Sequence, residues 1–341
     1  MFLNDNMYKW RSVASNAKRS VFALVAAIML TSNAQFAHAA QALQIGYPVR
    51  PVRYVIGGTV GGGADSLARA IAQKLGEQWG QQVIVDNRAG GGGIVASEIV
   101  AKSPPDGYTL LMAFTSHVTN PSLYPKLSYD AVKDFAPVTL IAMIPNILVL
   151  HPSVAADSVP ALVALTKKKL LSFASTGSGA STHLAGVLFA HMTGVKLLHV
   201  PYKGAGPAIT GVLSAETDMM FATAVSILPQ VKSGKLRALA VTGSHRSAAA
   251  PELPTISESG VPGYEANAWF ATFVAAGTSA GLVRRLNADI VRIITAPEVR
   301  ARLAAQGAEA LTSTPEELGR YTLTEIQRWQ RVIRESGARA D

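Results

Sequence analysis

From Tyr47 onward, short apolar runs alternate with longer stretches whose apolar residues recur every three or four positions. "VRYVIGG" reads as a strand, and "ADSLARAIAQKLGEQWG" follows with Leu67, Ala70, Ile71 and Leu75 at helical spacing. "QQVIVDNRAG" predicts the next strand and "GIVASEIVAKS" the next helix, stopped by Pro104 and Pro105. "DGYTLLMAF" is a third strand, ending in the polar loop "TSHVTNPSLY". This β-α-β-α-β order predicts a parallel sheet with helices on both faces. "APVTLIAMIPNILVLHP" predicts one or two further strands, broken at Pro145.

The rhythm then restarts. "SVPALVALTKKK" predicts a helix, "LLSFAST" a strand, "STHLAGVLFAHMTG" a helix and "KLLHVPY" a strand. "AGPAITGVLSAE", "TDMMFAT", "SILPQVKSGK" and "LRALAVTG" continue as helix, strand, short helix and strand. After "GYEANAWFATFVAAG" come two long amphipathic helical segments, "AGLVRRLNADIVRIITAPEVRARLAAQG" and "PEELGRYTLTEIQRWQRVIRES", expected to pack back on the first unit. The fold class expected is α/β with two domains, each a sheet flanked by helices. One takes residues 46–147 plus 268–341 and the other 148–267, with the ligand cleft between them. Open α/β sheets place ligands outside the carboxyl ends of their strands.

The N-terminal residues carry a different pattern. A basic stretch ending "AKRS" precedes the apolar "VFALVAAIML" (Val21 to Leu30), and "AHA" follows at Ala37 to Ala39. This is the layout of a signal peptide over residues 1–40, cleaved near Ala39. The apolar run is short for a membrane span, which needs about 20 residues. Export to a periplasm is the expectation. The chain contains 0 cysteines, which rules out a lipidated cysteine, a disulfide and a thiolate metal site.

Composition narrows the classes. With 341 residues, 49% of them hydrophobic and 16% charged, the chain can bury a core in each domain and is not a disordered sequence. A net charge of +9 raises nucleic acid as a partner. The basic residues are scattered and no basic stripe interleaves with aromatics, so nucleic acid is not expected and a small anion suits the charge better.

Four glycine-rich stretches sit where strands hand over to helices: "VGGGADS", "RAGGGGIV", "STGSGASTH" and "YKGAGPA". Glycine permits φ > 0 and close approach to main-chain N–H groups, and a helix start leaves amides unpaired beside a partial positive charge. A pocket with many backbone donors is the expectation. The sequence lacks a P-loop lysine, and Gly61, Gly63, Ser66 and Gly177, Gly179, Thr182 each miss the last glycine of the dinucleotide fingerprint. Ser178 lies between adjacent glycines rather than in Gly-x-Ser-x-Gly. His117 and His183 fall in candidate loops without a visible acid partner, so ligand hydrogen bonding or packing at a helix start is expected over base catalysis. Asp65 is expected to cap a helix, and the Asp86-Asn87-Arg88 run to brace a turn. Trp269 and Phe270 are expected as packing where the chain crosses a second time.

In order along the chain, "GGGADSLARAIAQKLGEQWGQQVIVDNRAGGGG", "SPPDGYTLLMAFTSHVTNPSLY", "KDFAPVTLIA", "ASTGSGASTHLAG", "VPYKGAGPAI", "GKLRALAVTGSHRS", "PTISESGVPGYEANAWF" and "STPEEL" resemble the Bug family. Its members are periplasmic solute receptors of tripartite tricarboxylate transporters. The resemblance implies a two-domain periplasmic-binding-protein (Venus flytrap, type II-like) fold that holds a small carboxylate without catalysis, cofactor or metal. It implies ligand contacts at Gly61, Gly62 and Gly63, at Thr115 and Ser116, through Ser175, Thr176, Gly177, Ser178, Gly179 and Ser181, and at Tyr202 and Lys203. The same loop ends add His117, Thr182, His183, Gly204, Ala222 and Thr223 as candidate neighbours of the ligand. The partners implied are a small organic acid and membrane permease subunits, with a sensor protein as the other recipient and a monomer as the expected state.

Two departures from the family pattern matter. Gly57 and Gly58 stand where relatives commonly carry a proline- and phenylalanine-containing stretch, which predicts a roomier, less apolar wall. Ala222 stands where relatives often carry an aspartate, which predicts a mono- or dicarboxylate, aromatic acids included, without an amino group. An exported α/β enzyme using Ser178 or His183, and a ligand sensor, stay open as other readings.

Overall fold

The computed structural model describes residues 46–60, 63–124, 126–305, 307–336 and 338. The signal-peptide reading of residues 1–40 and the site candidates Gly61 and Gly62 lie outside them.

The first run of elements is β1 (Val52–Ile56), α1 (Gly63–Trp79), β2 (Val83–Asn87), α2 (Ile94–Ala101), β3 (Thr109–Phe114) and α3 (Ser116–Leu123), then β4 (Phe135–Ile144). After Pro145 come β5 (Asn146–Leu150), α4 (Val159–Thr166), β6 (Leu171–Ser175), α5 (Ser181–Thr193) and β7 (Leu197–Pro201). Next are α6 (Ala205–Leu213), β8 (Met219–Thr223), α7 (Ala224–Lys232) and β9 (Arg237–Val241). The chain closes with β10 (Ala268–Ala275), α8 (Ala280–Thr295), α9 (Pro297–Ala305), β11 (Glu309–Ala310) and α10 (Pro315–Ser336).

The strands form two sheets, ordered β11-β4-β10-β3-β1-β2 and β7-β6-β8-β5-β9. Pro145 breaks the apolar stretch so that β4 and β5 fall in different sheets. The parallel sheet expected from the alternating rhythm holds for β2-β1-β3 and for β7-β6-β8. It fails at the strands next to the crossings. β10 runs antiparallel to both β3 and β4, and β5 antiparallel to both β8 and β9. A strand that enters a sheet directly from the other lobe has no crossover helix to turn it around, so it runs against its neighbours.

The first of the two expected C-terminal helical segments is broken at Pro297, whose missing N–H cannot continue the ladder. α8 and α10 pack on β4 as expected, but α10 also reaches α5 of the second lobe, where His191 Nε2 lies 3.2 Å from Glu335 Oε2. An apolar cluster runs through both lobes, from Val55 and Leu111 to Phe173, Phe221 and Trp269. Each such side chain contributes roughly 1.5–3 kcal/mol by leaving water, which holds the strand ends that carry the site.

Candidate functional site

The carboxyl ends of β1, β3, β6 and β8 face one another across a cleft of about 320 Å³. From the first lobe it is lined by Gly58, Ala64, Gly92, Thr115 and Ser116, with Phe114, Ala268 and Phe270 as an apolar wall. From the second lobe come Thr176, Gly177, Ser178, Ala180, Ser181 and Thr223. The lobes touch beside it: a β-carbon on Gly179 would stand 2.8 Å from Leu123 Cδ1, and Thr119 Oγ1 lies 3.5 Å from the Gly179 carbonyl. Among the described residues no charged side chain lines this cleft. None of them forms a cluster of His, Cys, Asp and Glu able to hold a metal ion.

The loop "STGSGAS" is rigid by its own side chains. Ser175, fully buried, accepts a hydrogen bond at Oγ from the Gly177 amide (3.1 Å) and pairs with His199 Nε2 (2.7 Å). Thr182 Oγ1 accepts from the Thr176 amide (2.9 Å), and His183 Nδ1 accepts from the Gly179 amide (3.1 Å). The rings of His183 and His199 stack at 4.0 Å, with Phe173 4.9 Å from His199. Gly177 (φ 133°) and Gly179 (φ 81°) take backbone angles that a side chain would strain. The amides of Thr176, Gly177 and Gly179 are thus engaged within the loop, contrary to the expectation that they serve a ligand. Ser175, Gly179, Thr182 and His183 are buried supports, while Thr176, Gly177, Ser178 and Ser181 reach the cleft.

The donors that remain are at helix starts. The residues before α3 (Thr115), α5 (Ala180) and α7 (Thr223) all line the cleft, and none makes a side-chain cap hydrogen bond. Three helices that begin elsewhere are closed. Ser158 accepts from the Ala161 amide at the start of α4, and Ser279 from the Leu282 amide at the start of α8. Thr314 and Glu317 exchange side-chain-to-amide bonds of 2.9 and 3.1 Å at the start of α10. α2, which follows Gly93, and α6, which follows Gly204, are also uncapped, and neither glycine lines the cleft. Three open helix starts thus turn unpaired amides and positive dipole ends toward one space, an arrangement that favours an anion.

Several expected contacts are displaced. His117 is a core residue: its Nε2–H donates to the Ala131 carbonyl (2.9 Å), and its ring packs on Tyr129, Phe135 and Phe273. Burial pushes its pKa down to about 4, so the ring is neutral. Tyr202, Lys203 and Gly204 follow the edge strand β7 and do not line the cleft. The Tyr202 ring lies instead over Gly211 of α6, where a β-carbon would collide with it. Ala222 points into the second lobe's core with Ile147, Val149 and Met220. Asp65 sits inside the first turn of α1 and pairs with Arg69 (3.0 Å) instead of preceding the helix. Asp86 braces its turn as expected, through Arg53 and through Arg88 (2.9 Å).

Sequence reasoning missed the apolar wall. Gly57 packs its backbone directly on Gly93, and the Phe114 ring lies against both glycines and meets Phe270 edge-on at 6.5 Å. The wall of the cleft beside these glycines is aromatic. The second glycine stretch supplied the signal for Gly92, which turns with φ 61° and is held by Asn120 Nδ2 donating to its carbonyl (3.3 Å).

A family model described as "Tripartite tricarboxylate transporter family receptor" matches residues 67–338. Protein BugT of Bordetella pertussis is 38% identical over 301 residues, 86% of this chain and 91% of that one. An R. palustris protein solved with adipate is 35% identical with a TM-score of 0.79, over 86% of this chain and 99% of that one. MatC of Rhodopseudomonas palustris with bound malate is 30% identical with a TM-score of 0.74, over 84% of this chain and 100% of that one.

Proposed function

The chain belongs to the tripartite tricarboxylate transporter receptor family, and from that premise we propose that it captures a small carboxylate between its lobes in the periplasm. It then hands the acid unchanged to membrane permease subunits. The observation that carries this reading is the contrast in helix caps: α3, α5 and α7 are open where they meet the cleft, while α4, α8 and α10 are capped away from it. An acid's carboxylate fills the place of the missing caps. Each helix start contributes on the order of 0.3–1 kcal/mol to holding an anion, and more in a partly buried setting. Contacts from both lobes favour the closed arrangement of the lobes, so capture and closure are one equilibrium.

The body of the acid rests on Phe114, Phe270 and Ala268. With no carboxylate side chain lining the cleft among the described residues, an ammonium group on the ligand would be left unpaired, at considerable cost. The ligand class is therefore an acid without an amino group, in keeping with the adipate and malate of the structural neighbours. Catalysis is not part of this reading. His183 Nδ1, the candidate base, is occupied by the Gly179 amide. The leader pattern of residues 1–40 supports the periplasmic location.

A panel of carboxylic acids tests the reading. At 100 times its dissociation constant a ligand adds about 2.7 kcal/mol to stability, so one acid or a few related ones are expected to raise the melting temperature and to be recovered intact by mass spectrometry. Conversion of the acid to a product, or no shift with any acid, would contradict it.

A further inference from the structure

The two chain crossings separate the cleft from a second cavity of about 380 Å³, also walled by both lobes. The partition between them is one residue thick. Asn267 lines the second cavity while Ala268 lines the cleft. Thr223 lines the cleft while its neighbour Ala224 abuts Gly307, on whose Cα a β-carbon would stand 2.7 Å from Ala224 Cβ.

The chemistry of this cavity differs from that of the cleft. Five alanines make its floor and walls, and Arg246, Arg300, His245 and Glu309 stand around them. Glu309 is engaged by His245, its Oε2 lying 3.1 Å from Nε2, in a pair that spans the two lobes. Arg246 is paired at 3.1 Å with Glu258, which is not part of the lining. The Arg300 guanidinium has no carboxylate partner among the described residues. The C-terminal carbonyls of α9 do not repel an anion here freely, because the Gly307 and Ala308 amides donate to the Ala304 and Leu303 carbonyls at 2.9 Å each. At the base, Asn267 Oδ1 is buried with no hydrogen-bond partner, although its Nδ2 donates to Glu265 Oε1 at 3.0 Å. That oxygen is sealed off from the cavity, which leaves the charge and the apolar lining to define what the space accepts.

We infer that this hinge cavity is a second ligand site, for a small organic anion whose apolar body lies on the alanines and whose charge meets Arg300 and Arg246. Closing the lobes over the cleft draws them together on one side of the crossings and parts them on the other. An occupant that touches both lobes at the hinge holds them together there and opposes closure. The two sites are therefore coupled negatively and reciprocally. The coupling rests on capture and closure at the cleft, whereas the lining of the hinge site is the same whichever acid the cleft takes.

The test is a titration of the full chain with 1-anilinonaphthalene-8-sulfonate, an aryl sulfonate that becomes fluorescent on leaving water. One saturable site is expected. Arg300→Glu reverses the charge of an exposed side chain, and Ala249→Trp fills the cavity; each is expected to weaken binding at least tenfold. Phe270→Ala, in the cleft wall, is expected to leave it within twofold. Melting curves confirm that each variant is folded, and the exposed Arg300→Glu change carries the test alone if Ala249→Trp does not fold. Absence of saturable binding, a dissociation constant that Arg300→Glu leaves unmoved, or loss of binding in Phe270→Ala would each overturn the inference.

Discussion

The Phe114 ring occupies the space that a side chain at Gly57 would need: a β-carbon there would stand 2.9 Å from Phe114 Cζ. The same β-carbon would press on the Gly93 backbone, which cannot give way as a flexible side chain does. Gly57→Ala is therefore expected to cost about 1–3 kcal/mol of stability through overpacking and to weaken ligand binding by moving the aromatic wall. Chemical denaturation and calorimetry of the same variant check both halves. A variant of unchanged stability would show that the ring is not locked.

Ser175 links the loop to the histidine pair behind it. Ser175→Ala leaves the Gly177 amide without its acceptor and removes the hydroxyl that pairs with His199 Nε2. The expected loss is about 1–3 kcal/mol of stability, together with at least a tenfold loss of ligand affinity as the loop relaxes. Ser175→Thr, which keeps the hydroxyl, is expected to retain more of both.

Helix starts should divide into two classes by mutation. Ser158→Ala and Ser279→Ala remove real caps and are expected to cost ~1 kcal/mol of stability each without changing affinity. Thr223→Ala and Ser181→Ala, at starts that carry no side-chain cap, are expected to change stability by less than ~0.5 kcal/mol and to weaken ligand binding. Denaturation and titration of the four variants separate the classes.

His117 gives the fold an acid sensitivity. Its folded pKa of about 4 lies below the unfolded value near 6.5, because burial disfavours the charged ring. Below the unfolded pKa the unfolded chain binds the extra proton, so stability falls as pH drops from about 6.5 to about 4, by on the order of 3 kcal/mol in total. His117→Phe is expected to flatten that part of the pH–stability curve. An unchanged slope in the variant would remove His117 as its source.

Much of the fold was legible because its strands are short apolar runs between polar or glycine-rich stretches, as in "VRYVIGG" and "TDMMFAT", and those runs fall on β1 and β8. The antiparallel placing of β5 and β10 was not legible, since it depends on partners such as Met220 for Val149 and Met112 for Thr272 that are far away in sequence. At the site, Ser181 and Thr115 could be placed because they sit where strand gives way to helix. Phe114 could not: an aromatic at a strand end reads the same whether it faces core or cleft, and only its packing on the distant Gly57 and Gly93 decides. Tyr202 misled for the same reason, since the small side chain that receives its ring is Gly211, nine positions on.

The claim that open helix starts from both lobes hold the ligand's negative charge is tested most directly by a matched pair. Calorimetric titration of the best-binding carboxylic acid is set against its uncharged primary amide, which has nearly the same shape. The account expects the acid to bind at least 100-fold more tightly; equal affinity for acid and amide would contradict it.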